Sequence, residues 1–264
     1  MLARTGTDGA YQKTLTRRIR QTNPHQASSK CVVGEAAAGV FQIKENGVKY
    51  ELSFAEGYSA GLFLDQRDNR RRFLVNHVAA GFPMFEDASA PREVLNTFAY
   101  TCGFSVCAAL AGARVTSLDL SKKYLEWGNR NFLLNDLNPA EHDFIYGDAF
   151  DWLRRMAKKQ RRFDAVILDP PTFSQSKTSG IFRAKKDYGA LVELGLTLLK
   201  PRGTLFASSN AAKWEAEDFV NCIRSTLVTK RRKILQMHYA PQPPDFPVTK
   251  QEPAYLKTLW LRIQ

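Results

Sequence analysis

No apolar run in the chain approaches the roughly 18 to 20 residues a membrane span needs, and the first 30 residues hold no apolar stretch of the secretory type. An internal, cytoplasmic compartment is therefore expected, without a membrane. Cysteine is scarce: Cys31, Cys102, Cys107 and Cys222 are the only four in 264 residues, with no CxxC pair. That spacing argues for reduced thiols rather than a disulfide framework, and against a metal. Acids are outnumbered, 26 against 38 Lys and Arg, for a net charge of +12. Also missing is the GxGxxG of a dinucleotide site. The stretch TFAYTCGF has only Gly103, so a pyrophosphate would find no glycine cradle; a dehydrogenase is disfavoured and a cofactor without phosphate suits better.

What is present begins with clustered positive charge: Arg17, Arg18 and Arg20; Arg67 and Arg70 to Arg72; Lys158, Lys159, Arg161 and Arg162; and Lys230 to Lys233. Together they suggest a polyanionic partner, whereas each alone reads equally as a solvated face. Met1 to Lys30 has a single acid, Asp8. It is open to two readings, an organellar transit segment or a basic helix over YQKTLTRRIR with Leu15 and Ile19 four residues apart.

Organisation divides near residue 85, giving a small region over 1–85 and a main domain over 86–264. In the first, VFQIKE and VKYELSF flank Asn46-Gly47, a two-residue hairpin signal because both turn positions need positive φ. Asp65 is expected to cap a helix starting near Gln66 with Phe73 and Leu74 on its buried side. After residue 90, apolar strands alternate with helix-length segments, the pattern of a parallel sheet covered on both faces. The strands are Val94 to Thr97, Arg114 to Leu118, Asp143 to Tyr146, Phe163 to Leu168, Gly203 to Ala207, Lys233 to His238 and Tyr255 to Arg262. Helices are expected from near Phe104, Ser121, Phe150, Lys185 and Trp214. A long loop with five prolines, APQPPDFPVTKQEP, separates the last two strands.

Ligands of open α/β sheets bind at the carboxyl ends of the strands. Four of those ends carry a short polar residue: Asn96, Asp119, Asp148 and Asp169, the last followed by Pro170 and Pro171. Asp119 comes 23 residues after Asn96, close to the roughly 20-residue interval at which nucleotide sites place an acid on ribose hydroxyls. A helix cap for Ser121 onward is the alternative.

VLNTFAYTCGFSV, SLDLS, GDAF and DPPTFSQSK, with FLDQRDNR upstream, resemble the bacterial ribosomal RNA large-subunit methyltransferases that act on cytosine C5 or guanine N7. Coverage runs from about Val40 to the C-terminus. In the wider class the first loop is glycine-rich, and Phe98 and Tyr100 stand here where glycines usually do. The resemblance implies a Rossmann-like class I methyltransferase with a seven-stranded, mostly parallel sheet, preceded by a small helix and β-hairpin region, and S-adenosylmethionine as cofactor. It implies that Asn96, Tyr100, Thr101 and Gly103 lie beside the methionine part, that Asp119 holds the ribose, and that Asp148 with Ala149 meets the adenine, with Phe98, Leu120 and Ser121 also at the cofactor. Phe63, Asp65, Gln66 and Arg67 would close over the cofactor, although Phe63, Phe98 and Tyr100 also read as core aromatics and Arg67 as a solvated charge.

Catalysis is expected from Asp169, Pro170, Pro171, Phe173 and Asn210. Two prolines fix the backbone after the strand and aim its acceptors. Phe173 is either a stacking platform for a base or a plug under the loop. Lys177 and Arg183 are either phosphate contacts or plain loop charges. Cytosine C5 methylation needs a thiolate, and where the cytosine-modifying relatives carry that cysteine this chain has Asn210, in FASSNAAK. Ser208 and Ser209 have no evident base. The guanine-N7 relatives share the DPPTFS(x)SK string and a Ser-Asn-Asn-Lys type stretch, so the resemblance points to that branch: a methyltransferase acting on guanine N7 in ribosomal RNA. Another acceptor, such as an exocyclic amine, cytosine C5, a protein or a small molecule, is the alternative.

Overall fold

The computed structural model of the chain describes residues 6–13, 28–56, 59–87, 89–176, 180–246, 248–251 and 253–264. It divides into two compact units, Met1–Leu64 and Asp65–Gln264. The sequence placed its division near residue 85; the segment between belongs with the larger unit because Phe73 packs there, its ring within 6.2 Å of Phe104 and 5.8 Å of Trp260.

In the first unit, β1 (Gly9–Gln12) pairs antiparallel with β2 (Lys30–Gly34). The basic helix expected from Tyr11 therefore does not begin there: the Tyr11 ring lies 4.3 Å from that of Phe54 and its hydroxyl accepts the Ala37 N–H at 2.6 Å. Tertiary contact overrides a helical pattern. Residues 14–20, and with them Arg17, Arg18 and Arg20, lie outside the described residues. The hairpin at Asn46-Gly47 forms as read, joining β3 (Phe41–Glu45) to β4 (Val48–Leu52) with φ of 51° and 84° at the two turn residues.

The second unit is built on a seven-stranded sheet. Its strands are β5 (Arg92–Thr97), β6 (Ala113–Asp119), β7 (Asp143–Tyr146), β8 (Phe163–Leu168), β11 (Leu199–Ser209), β12 (Ile234–Pro241) and β13 (Lys257–Ile263). The spatial order is β12-β13-β11-β8-β5-β6-β7, and only β13 runs antiparallel to its neighbours. Between them lie α1 (Arg67–Leu74), α2 (Gly103–Leu110), α3 (Lys122–Leu134), α4 (Ala149–Lys158), α5 (Ala184–Leu198) and α6 (Ala216–Thr229). This is the Rossmann-like architecture expected, and β8 explains why the pattern was legible: a sheet buried on both faces needs a continuous apolar run, and Ala165 to Leu168 are all buried.

One element was not foreseen. β9 (Phe173–Ser176) and β10 (Gly180–Arg183) form an antiparallel hairpin directly after the two prolines, in a stretch read as loop. Residues 177–179, Lys177 among them, lie outside the described residues. Asp65 also departs from expectation: α1 starts with no side-chain cap, and the Asp65 carboxylate instead accepts from the Tyr255 hydroxyl, burial raising the carboxyl above its ordinary range.

Candidate cofactor and catalytic site

The loop from β5 into α2 turns left-handed at alternate residues. Phe98, Tyr100 and Cys102 have φ of 55°, 50° and 63°, a region that costs an L-residue about 1–2 kcal/mol. Such strain persists only where the surroundings over-determine it. Here the Ala99 N–H is held by Leu118 O at 3.0 Å, the Tyr100 N–H by Asp119 Oδ2 at 2.8 Å, and Thr101 O by Asn131 Nδ2 at 2.9 Å. Asn96 is buried and donates to Ser105 Oγ of α2 at 2.9 Å, where Ser117 also bonds at 2.8 Å. Helix α3 closes in through Gly128: a Cβ there would lie 2.4 Å from Cys102 Sγ, so only glycine permits the approach. Thr101 and Gly103 are buried in the same turn.

Asp119 ends β6 and is locked from both sides. Oδ2 accepts from Tyr100 N and Oδ1 from Ser121 N at 2.9 Å. Burial raises its carboxyl, and these backbone donors oppose the rise. A carboxylate has about four lone-pair positions; the Tyr100 and Ser121 N–H groups, with a lesser contribution from Leu120 N–H, leave acceptor capacity for a ribose hydroxyl. Ser121 accepts from Tyr124 N and caps α3, which satisfies the helix without Asp119. Leu120, between β6 and α3, is 44% exposed.

Where α4 begins, a cleft of about 180 Å³ is lined by the rings of Phe98, Phe150 and Phe182 and by the charged Asp148, Arg154 and Asp187, among others. Phe182 stands between the rings of Phe98 at 6.3 Å and Phe150 at 5.8 Å. The β9–β10 hairpin thus supplies one wall of this cleft. Asp148 Oδ1 caps α4 by accepting from Asp151 N at 3.1 Å.

Asp169 follows β8 and sits in a polar cluster. Gln66 Nε2 donates to its Oδ2 at 3.1 Å and to Ser208 Oγ at 2.8 Å. Asn69 Nδ2 donates to Gln66 Oε1 at 2.7 Å, and Trp260 Nε1 to Asn69 Oδ1 at 3.1 Å. Burial pushes the Asp169 carboxyl up to about 6, with the Asp65 charge adding to the rise and Ser208, Arg70 and Gln66 opposing it. Below, the Tyr188 hydroxyl meets Leu168 O at 3.0 Å and Ser208 O at 2.8 Å, clasping the ends of β8 and β11.

Pro170 is buried and Pro171 exposed. Phe173, at 56% exposure, is a surface ring rather than a plug. Asn210 is exposed and its Oδ1 accepts from Thr172 Oγ1 at 2.8 Å, joining the loops after β8 and β11. Next to it a buried Lys257 donates to Ala211 O at 2.8 Å, burial lowering its ammonium below the ordinary range.

Gln66, expected on the cofactor, commits both amide hydrogens and an oxygen lone pair to protein partners. Arg67 forms a two-pronged pair with Asp245, at 2.5 Å and 2.7 Å. Phe63 lies in the first unit, in the small region where the sequence reading had it. Of the charge clusters, Arg70 is buried, Arg72 bonds Val78 O and Asn69, and Arg161 bridges Glu93 and Asp143. Asn69, Ser208, Phe150 and Phe182 were not singled out for the site. Asn69 had a legible signal, three residues after Gln66 and so on the same helical face.

A carboxylate at the end of β6, a separate cleft with aromatic and polar walls at the end of β7 and no glycine phosphate cradle suit an adenosine without phosphates. A family model described as S-adenosylmethionine-dependent methyltransferase matches residues 2–262. The chain belongs to that family. Among curated proteins, this methyltransferase is 36% identical over 235 residues to a ribosomal RNA large subunit methyltransferase of Deinococcus radiodurans, covering 88% of this chain and 54% of that protein. It is 39% identical over 185 residues to ribosomal RNA large subunit methyltransferase K/L of Psychrobacter arcticus, covering 68% and 22%. A solved SAM-dependent methyltransferase from Streptococcus mutans superposes with a TM-score of 0.75 at 31% identity, over 89% of this chain and 58% of that one. Another similar structure is a methyltransferase complexed with SAH, with a TM-score of 0.76 at 32% identity, over 89% and 58%. The methyltransferase thus spans about half or less of the length of these relatives. Among the described residues no helix is long and apolar enough to cross a membrane, and no group of three or more candidate metal ligands occurs.

Proposed function

We propose that this methyltransferase modifies a base of ribosomal RNA, with guanine N7 as the favoured acceptor. The observation that carries the reading is the Asp169 cluster: a rigid DPP turn at the carboxyl edge, beside the strained loop, with Asn210 and an exposed Phe173 around it. S-adenosylmethionine supplies a methyl group activated by an adjacent sulfonium. Asp119 offers its remaining lone pairs to the ribose hydroxyls, and Leu120, Asp148, Ala149, Phe98 and Phe182 enclose the adenine. Asn96, Tyr100, Thr101 and Gly103 shape the loop beside the methionine part.

On the acceptor side, Phe173 offers a face for stacking a splayed-out base. With its Oδ1 taken by Thr172, Asn210 presents its NH2 group, a donor suited to a carbonyl such as guanine O6. A ring nitrogen attacks through its own lone pair, so placement in line is the main task. Asp169, ionised above about pH 6, stabilises the positive charge that develops on the ring. Covalent cytosine chemistry has no support from the thiols: Cys102 lies in the cofactor loop, but burial pushes it up to about 12, far from the thiolate that attack requires. An exocyclic amine is the second reading, favoured by the raised Asp169 carboxyl, which suits a proton acceptor.

Support for RNA lies in where lysines are tolerated. Both α3 and α5 start at the carboxyl edge, and their first turns carry the exposed pairs Lys122-Lys123 and Lys185-Lys186. Cations at a helix N-terminus oppose its dipole, and α3 has no acid in that turn. A phosphate backbone across this edge would relieve the repulsion. We place the activity in the cytoplasm, where ribosomal RNA is the polyanion at hand.

The test is incubation with radiolabelled S-adenosylmethionine and, separately, ribosomal RNA, protein extract and small-molecule pools. Label in RNA, recovered as 7-methylguanosine on nucleoside analysis, is expected. Protein-only labelling overturns the RNA reading, and an N-methylated exocyclic amine selects the second one.

A further inference from the structure

We propose that Gln66 is a positioning residue for the Asp169 carboxylate, held in that role by a one-way chain of hydrogen bonds from Trp260 through Asn69. The inference rests on the reading that Asp169 faces the methyl acceptor. Its starting point is that an indole N–H can only donate. Trp260 Nε1 reaches Asn69 at 3.1 Å, and the Arg72 guanidinium, also a pure donor, reaches the same atom at 3.2 Å. That atom must be the Asn69 carbonyl oxygen, so Asn69 turns its NH2 toward Gln66. Gln66 must then accept on Oε1, which leaves both of its N–H groups for Asp169 Oδ2 and Ser208 Oγ. Run in the opposite sense, the chain would press the Gln66 carbonyl against a carboxylate, acceptor on acceptor.

Direction is therefore set at Trp260, on β13, and delivered at the end of β8. All three side chains are buried, Trp260 at 0%, Asn69 at 2% and Gln66 at 3% exposure, where hydrogen bonds are strong and mispairing is costly. The chain does two things for Asp169. It pins Oδ2, so the carboxylate plane cannot turn freely, and it donates to the charged form. Around the same carboxylate, burial and Asp65 favour protonation and Ser208 and Arg70 favour ionisation, while burial and the Asp169 charge hold the nearby Tyr188 phenol in its neutral form. Gln66 adds to the groups that favour the acceptor form, of which Ser208 is the largest, and it alone among them is aimed by a buried hydrogen-bond chain. FLDQRDNR thus places its Gln and Asn three residues apart on one face of a helix entry, and its contribution is to the catalytic turn.

Two variants read this out. Gln66→Met keeps the length of the side chain and removes the donor. Asn69→Asp keeps the acceptor for Trp260 and Arg72 but turns an oxygen toward Gln66, which forces the Gln66 amide to flip. Both are expected to lower single-turnover methyl transfer by about ten- to a hundredfold, as for loss of a buried charge-assisted bond, and to move the acid limb of the pH profile upward. Affinity for S-adenosylmethionine should change by no more than about threefold. A merely structural role would lower stability and leave the acid limb in place; folded variants with wild-type turnover and limb overturn the proposal. If neither variant folds, the wild-type protein decides: the Gln66 side-chain amide ¹⁵N signals should titrate with the Asp169 carboxyl, and their constancy overturns the chain. Asp169→Asn separates the two levels of inference. Full turnover in that variant sinks the role of Asp169 itself, whereas an inactive Asp169→Asn beside wild-type behaviour of Gln66→Met and Asn69→Asp sinks only the chain.

Discussion

The two edges of the sheet treat charge in opposite ways. At the amino edge Arg161 bridges Glu93 and Asp143 at 3.4 Å each, and Lys200 meets Asp164 at 2.8 Å, all partly exposed. Such pairs satisfy each other and contribute about 0–1 kcal/mol. At the carboxyl edge, Asp119 and Asp169 are held where burial raises their carboxyls, lysine pairs open two helices against the dipole, and three non-glycine residues in the β5–α2 loop are left-handed. The buried carboxylates and the left-handed residues each oppose folding, whereas the lysines are partly offset, by Asp187 in the first turn of α5 and by the Tyr146 ring under Lys122. Left-handed non-glycine residues occur near both edges, Gln160 and Arg202 among them at the amino edge; it is the desolvation of carboxylates, set against partly exposed pairing on the other edge, that marks where the fold gives up stability for binding and chemistry.

The largest effect that would sharpen this contrast is at Asp169. Asp169→Asn should reduce methyl transfer about 10²- to 10³-fold, on the scale of losing one preorganised electrostatic group. The same change should stabilise the protein at pH 7. The Asp169 carboxyl is raised from its ordinary 3.8 to about 6, so the stability associated with it is fully present below the unfolded value and is lost as pH rises through the folded one. At neutral pH the ionised group is a burden that Asn removes, so calorimetry should show a higher Tm. Activity runs the other way, and wild-type turnover should rise through about pH 6 as the acceptor ionises.

Next in size is Gly128→Ala. A Cβ at 2.4 Å from Cys102 Sγ should destabilise by about 1–3 kcal/mol as overpacking does, and loosen the loop enough to weaken S-adenosylmethionine binding by calorimetric titration. Smaller is the double change Lys185→Glu with Lys186→Glu. It should weaken RNA binding and reduce the slope of log K against log salt by roughly 1.5 to 2, with cofactor affinity intact; an unchanged slope would remove the lysine pairs from the RNA-facing edge. Smallest is Arg161→Ala, which should cost about 1 kcal/mol or less and leave turnover unaltered. A large loss of activity there would erase the distinction between the edges.

Much of the fold was legible because its signals are local. Asp143–Tyr146 and Phe163–Leu168 were read with their observed limits, and Asn46-Gly47 and the helix starts after β5, β6 and β7 follow from turn and cap chemistry. The hairpin after the prolines was missed because FSQS and GIFR are short and largely exposed; their pairing depends on Phe182 reaching Phe98 and Phe150, contacts remote in sequence. Gly180, at φ 74°, was the one local hint. The charge clusters misled for a similar reason. RDNRRR looks like a cationic patch, yet burial takes Arg70, Arg72 bonds inward and Arg67 meets Asp245. Sequence shows how many cations there are, but only tertiary structure shows which are already paired.

The central claim is a division of labour along one edge, Asp119 for the cofactor and Asp169 for transfer. It is tested most directly by measuring S-adenosylmethionine Kd and single-turnover methyl transfer side by side for Asp119→Ala and Asp169→Asn. The expected result is loss of cofactor binding in the first, and in the second a Kd within about threefold of wild type with transfer nearly abolished. Equal losses of both quantities in both variants would contradict it.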